Sequence, residues 1–280
     1  MDPVRAAAIA VLLAVVLAGC SSSSPPQITI GAARTYRLAG FSPPRFVAGK
    51  PEGVPFRIDQ PSGVALTRFR TGSGPHTGVH LIIVRSDLGA IIHQHPKPGP
   101  GGEFRPVVTF PTPGRYRVVV DVYPQLGGPL RNFQLFRWIT VPGRAVHNPL
   151  PPFRPAVTVD GYRFALQSRP KLRAIQANFL MLHVTRPDGS PATFTPWFGA
   201  LAHAIFFRAG TLSYFHTHVC GANTPACGGA FGATRISGHS STPGRLTVGV
   251  LLPQSGTWRL FLQCKVGGTV ITAPFTLQVR

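Results

Sequence analysis

A histidine-bearing segment occurs twice in this 280-residue chain, and that repeat limits the fold more than any other feature. His80-Leu-Ile-Ile-Val-Arg85 leads to His93-Gln94-His95, and His203-Ala-Ile-Phe-Phe-Arg208 leads to His216-Thr217-His218, with all three histidines offset by 123 residues. Of the 16 aligned positions, five are identical: the three histidines, Ile82/Ile205 and Arg85/Arg208. Flanking segments correspond as well. Tyr36-Arg37-Leu38 matches Tyr162-Arg163-Phe164, and the turn at Pro113-Gly114 before Tyr116-Arg117 matches Ser255-Gly256 before Trp258-Arg259. Self-similarity on this scale marks one structural unit built twice.

The character of that unit follows from its punctuation. The chain holds 31 glycines and 30 prolines, and short runs rich in valine, threonine and phenylalanine lie between them. No long segment carries a helical period, so each unit reads as about seven short strands joined by turns. The expected fold is all-β, a tandem of immunoglobulin-like or cupredoxin-like β-sandwiches over residues 28–142 and 156–280. Residues 143–155 form a Pro-rich, stiff linker. The second copy differs chiefly by a Gly-rich, Cys-containing insertion at 219–241.

The N-terminus has a different character. Ala6–Ala18 is an apolar run behind a single basic residue, Arg5. It is shorter than the roughly 20 residues a membrane-spanning helix needs, which suits a signal-peptide core. It closes in Leu17-Ala18-Gly19-Cys20, which resembles the lipobox of bacterial lipoproteins. The resemblance implies a signal peptide at 1–19, cleavage before Cys20 and acylation of that cysteine. Residues 20–27 would then be the lipidated Cys and a Ser/Pro tether. The expected location is the extracytoplasmic face of a cell membrane, held by the lipid.

Register determines what the histidines can do. If Asp87 and Leu88 form a two-residue loop, paired positions sum to 175, so His80 faces His95 and Ile82 faces His93. Side chains alternate along a strand, so His93 and His95 share a face. Directly opposed Cβ atoms lie about 4.5–5.5 Å apart, within reach of a common ion. With Gly210-Thr211 as loop, His203 faces His218 and His216 lies diagonal to both. The expectation is two clusters, one per copy: His80, His93 and His95, and His203, His216 and His218. Imidazole nitrogen suits copper(II) or zinc, and three ligands leave a position open. The competing reading is that the histidines satisfy one another and simply pack.

These segments also resemble bacterial envelope proteins whose β-sandwich domains carry an H-x-H-P motif, here His93-Gln94-His95-Pro96, and which are described as secreted, lipoprotein or heavy-metal-binding. The resemblance implies a sandwich fold with copper or zinc binding. The second copy departs from it, with Val219 where the first has Pro96.

The remaining chemistry is sparse. Cys220 and Cys227 bracket a short loop and are expected to form a disulfide in an oxidising compartment, with Cys264 bridged to one of them as the alternative. Unbridged, Cys264 would be a soft ligand near His216 and His218. Basic residues number 28 against 8 acidic ones, a net charge of +20. That excess favours anionic envelope polymers or headgroups as partners; the export signal and the lack of a basic–aromatic motif disfavour nucleic acid. No paired carboxylates, nucleophile elbow or phosphate loop are present, so no catalytic residues are assigned. His239 reads as loop. The leading expectation is metal buffering, delivery or sensing at the envelope. An adhesion or scaffolding module with structural histidines comes second, and a metal-dependent oxidase or hydrolase third.

Overall fold

The computed structural model describes residues 36–41, 46–125, 132–222 and 238–280. These are almost entirely β-structure, as expected. The first half contains β1 (Arg37–Gly40), β2 (Pro51–Gly53), β3 (Phe56–Asp59), β4 (Val79–Arg85), β5 (Ile91–Gln94), β6 (Val107–Thr109), β7 (Gly114–Val122) and β8 (Phe133–Val141). The second contains β9 (Ala156–Val159), β10 (Tyr162–Leu166), β11 (Asn178–Thr185), β12 (Phe194–Thr195), β13 (Ala202–Arg208), β14 (Tyr214–Gly221), β15 (Gly238–Ser240), β16 (Arg245–Val250), β17 (Gly256–Val266) and β18 (Thr269–Val279). Among the described residues no helix is long and apolar enough to cross a membrane.

Each half is an immunoglobulin-like sandwich. In the first, a four-stranded sheet runs β5-β4-β7-β8, and the ladders β1-β3 and β2-β6 cover its inner face. In the second, one continuous sheet runs β18-β17-β13-β14-β15-β16-β11-β10-β9, with β12 beside β13 on β17. Its two ends, β18 and β9, come back together, so the sheet rolls around its own core. The duplication is visible strand by strand. The β4–β5 hairpin repeats as β13–β14, and β7–β8 repeats as β17–β18.

The anchors of the repeat are physical. Arg85 reaches Thr112 in the loop before β7, and Arg208 donates to the Ser255 carbonyl at 2.7 Å in the equivalent loop. Gly114 and Gly256 both have positive φ, and a Cβ at Gly256 would lie 2.9 Å from the Arg208 guanidinium. Tyr116 donates to the Thr112 carbonyl (2.7 Å) and Trp258 to the Gln254 carbonyl (3.0 Å), each reaching back four residues. These latches account for the Arg, the Gly and the aromatic that the copies share.

The hairpins differ from expectation in their loops. The Arg85 amide donates to the Ala90 carbonyl and the Arg208 amide to the Ser213 carbonyl. The loops are therefore four residues long, with Leu88 and Leu212 at positive φ, instead of the two-residue turns expected. Lengthening a loop by one residue on each side leaves the pairing sum unchanged. Ile82 still faces His93, and His203 still faces His218. His239, expected in a loop, sits in β15.

The inner strands decide how the halves meet. Every residue of β4 is buried. A strand buried on both faces shows an unbroken apolar run instead of alternation. Leu81 and Ile83 enter the core of the first half, with Val118 and Val120. Ile82 and Val84 form a separate cluster with Val119 and with Ile205, Phe207, Leu212 and Phe261 from the second half. The two hairpins thus pack face to face across a shared apolar layer. Phe207→Ala removes a fully buried ring from that layer. The expected loss is about 3–5 kcal/mol, read from the urea unfolding midpoint. Both halves should be destabilised in one transition.

Candidate metal centre

His80 is in phase with Ile82 and Val84, and His203 with Ile205 and Phe207, so period-two alternation puts both on the shared face. The apolar layer fills one end of that face, and the histidines fill the other. The sequence led to two clusters; the structure forms one. His80 and His216 come to a ring-centroid distance of 5.4 Å, and His93 and His203 to 4.9 Å. His80 stacks on His95 at 3.8 Å, and His203 lies 4.8 Å from His218. The correction has a simple cause. Strands β4 and β13 bury their outer as well as their inner face, and each covers the outer apolar strip of the other.

Three overlapping groups bring ligand nitrogens within 4.8 Å of one another: His80, His93 and His216; His93, His95 and His203; His203, His216 and His218. Any two groups share one histidine, and two of the three draw on both halves. All six expected residues therefore belong to one site. His76, which was not foreseen, adds an edge contact to His218 at 4.8 Å and faces the Tyr123 hydroxyl at 3.3 Å.

Residues outside the repeated motif orient the imidazoles. The Trp197 carbonyl lies 2.9 Å from His203 Nε2. A carbonyl only accepts, so this nitrogen carries the hydrogen and Nδ1 keeps its lone pair, facing His216 Nε2 at 3.3 Å. Gln263 donates its amide to Thr272 at 3.0 Å, which turns its Oε1 toward His93 Nδ1 at 2.9 Å. His93 Nδ1 is therefore the donor, and its Nε2 lone pair faces His95 Nε2 at 3.1 Å. An acceptor behind the ring that fixes the tautomer and aims the other nitrogen inward is the usual support of a metal-bound histidine. Phe198 stacks flat on His95 at 3.9 Å, and Trp197 stands edge-on to His93 at 5.4 Å.

Burial holds these rings neutral. It pushes His80, His93, His95, His216 and His218 well below the ordinary imidazole range, reinforced by neighbouring histidines. His203 is held down to about 4, by burial against the opposing pull of the Trp197 carbonyl. Both nitrogens of His80, Nδ1 of His216 and Nε2 of His218 are buried with no hydrogen-bond partner. Each orphaned group costs about 1–3 kcal/mol, and an electron-pair acceptor in their midst would relieve that cost. The donor set fits a borderline metal ion: neutral nitrogens, without thiolate or carboxylate. Asp121 stands opposite His80 in the β4–β7 ladder but belongs to none of the groups. Its carboxylate accepts from Asn132 (3.0 Å), Gln134 (3.1 Å) and Tyr214 (3.4 Å), and burial raises it to about 6.

The cysteines lie elsewhere. Cys264 is free and buried in the second core beside Ala202, on the face of β17 opposite Gln263. It is not brought to the histidines, because one step along a strand reverses the side chain. Cys220 follows His218 and is disulfide-bonded; Cys227 and Cys20 lie outside the described residues.

The chain belongs to the family described as Domain of unknown function (DUF8832), matched over residues 38–135 and 157–280. No curated protein matches it. Solved structures with similarity include the Lin-41 filamin domain, at 12% identity and TM-score 0.28 over 43% of this chain and 92% of that one. Invasin, a bacterial integrin-binding protein, is similar at 14% identity and TM-score 0.24, over 87% of this chain and 39% of its own. The fibronectin(III)-like modules of Clostridium thermocellum CbhA are similar at 9% identity and TM-score 0.21, over 87% and 92%. At these scores the strand topology itself carries the description of the fold.

The neutral histidines have a consequence for stability in metal-free protein. As pH falls below about 6.5, the unfolded chain binds protons on imidazoles that the folded site keeps deprotonated. Stability is therefore fully present above that value and is lost on acidification. For His203 the window runs from about 6.5 down to about 4, and its share is on the order of 3 kcal/mol. Urea midpoints measured with a chelator should be lower at pH 5 than at pH 7.5, and His203→Gln should flatten the difference.

Proposed function

We propose that this protein is an envelope lipoprotein that binds one copper(II) or zinc ion per chain in a composite histidine centre, for metal buffering, delivery or sensing. One observation carries the reading: Gln263 and the Trp197 carbonyl fix the tautomers of His93 and His203 so that their free lone pairs point into the cluster, toward His95 and toward His216, whose Nδ1 is orphaned. His93, His95 and His203 would hold the ion, or one of the two alternative groups would. Because any two groups share a histidine, filling one takes a ligand from each of the others, which sets the stoichiometry at one. The ion supplies Lewis acidity when bound. The residues of the chain orient it and exclude water, and no nucleophile or carboxylate base is assigned beside it.

The location belongs to the same proposal. Lipid on Cys20 would tether the chain outside the cytoplasm, where the ion and the Cys220 disulfide are chemically compatible. The Cys20→Ala protein should move from the membrane fraction to the soluble fraction on cell fractionation. Retention in the membrane would count against the anchor.

Calorimetric titration of full-length protein with copper(II) and with zinc tests the centre. Binding of one ion per chain is expected. Both His93→Ala/His203→Ala and His93→Ala/His216→Ala should abolish it, since each removes a residue from all three groups. Binding of two ions per chain by the unaltered protein would instead indicate two independent sites. The stacking of His80 on His95 and of His95 on Phe198 favours a second reading, a scaffolding module with structural histidines. On that reading the variants lose stability and neither metal binds.

A further inference from the structure

Beside the histidines lies a cleft of about 750 Å³ that the metal reading does not use. Residues 67–74 and 77–79 of the first half line one part of it; Phe198 and Gly199 of the second half line another. A Cβ on Gly199, at φ +76°, would stand 2.5 Å from the Gly74 and Ser73 backbones, so glycine is what lets the halves close this wall. His95 lines the cleft and also belongs to a metal group.

The lining has a definite chemistry. It carries three cations, Arg68, Arg70 and Lys97, and no carboxylate. None of the three takes part in the ion pairs found among the described residues. Phe198 supplies apolar surface, while Phe69 and Val79 lie beneath the lining with their side chains in the first core. Cationic groups without acidic partners, set beside an aromatic wall, select an anion with an apolar body. Charge balance adds a second argument. A divalent ion among neutral imidazoles would bring two uncompensated charges into a buried region. Asp121, the acid nearest in the ladder, is held by Asn132, Gln134 and Tyr214.

We propose that this cleft binds a small organic carboxylate, its charged end held by Arg68, Arg70 and Lys97 and its body against Phe198. In the metal-loaded protein the carboxylate would also neutralise the ion from the His95 side. This last part rests on the metal reading, and the anion site does not.

Full-length protein stripped of metal by chelator is titrated with benzoate, with benzamide as the neutral isostere, and with inorganic phosphate. Expected is saturable binding of one benzoate per chain, none of benzamide, and a loss of tenfold or more in Arg68→Ala/Arg70→Ala/Lys97→Ala. Lys97→Glu serves as a single change on an exposed residue should the triple variant misfold, and it should weaken benzoate by a similar factor. Equal binding of benzamide, preference for phosphate, unchanged affinity in folded variants, or no saturation with benzoate would each overturn the site. In copper(II)-loaded protein, benzoate should shift the visible absorption band. An unshifted band with benzoate bound overturns the link to the ion alone. Absence of metal binding sinks the metal reading and leaves the metal-free titration decisive for the cleft.

Discussion

The rest of the structure depends on the apolar layer between the two hairpins. Ile82, Val84 and Val119 of one half meet Ile205, Phe207 and Phe261 of the other, all buried. Burying Val, Ile and Phe side chains contributes about 1.5–3 kcal/mol each, which suffices to keep two small sandwiches in register. Without it, β4 and β13 would each expose a hydrophobic strip on their outer face. With it, anything in phase with those side chains but beyond the end of the strip is forced into the same seam. The histidines are in that phase. Their convergence follows from strand periodicity and hydrophobic packing, with no separate device needed.

Much of this was legible in the sequence. The repeat, the all-β character and the pairing of His203 with His218 all followed from spacing and turn residues. The pairing sum survived a wrong loop length because the true loops are longer by an even number, one residue per side. What pattern reading missed was that the clusters are one. The signal was present in the runs Leu81-Ile82-Ile83-Val84 and Ala204-Ile205-Phe206-Phe207, which do not alternate and so announce strands covered on both faces. Trp197, Phe198 and His76 lie outside the repeated motif, and nothing in their local sequence ties them to it. Gln263 is different. Strand β17 repeats β7, and Trp258 aligned with Tyr116 places Gln263 at the position of Asp121.

That last substitution separates the two halves functionally. In the second half the position holds an amide, which accepts from His93 across the seam. In the first it holds a carboxylate, which accepts from Tyr214 across the same seam. The pseudo-symmetric positions both point into the shared face, but only the amide touches an imidazole. A carboxylate hydrogen-bonded to His93 would raise its basicity and draw in a proton; a neutral amide fixes the tautomer without adding charge. The duplicated scaffold thus holds its histidines uncharged, with lone pairs facing inward.

Keeping every ligand neutral also fixes where compensating charge must come from. A centre with carboxylate ligands carries its own counter-charge and binds hard cations in water-filled sites. A centre made only of imidazoles carries none, and the net charge of +20 on the chain makes the surroundings less welcoming still. On the proposed reading an ion here would be stabilised by its bonds to nitrogen and opposed by the field of the protein, so its affinity would depend strongly on whichever anion can approach. The route of approach would be the seam itself, where the Phe198–Gly199 loop meets the first half beside Arg68, Arg70 and Lys97. The same packing that gathers the histidines thereby places a cationic, half-apolar cleft beside His95, which with His216 is one of the two half-buried members of the six. Coupling between anion and ion would then be a property of the interface between the halves, and neither sandwich alone would have it.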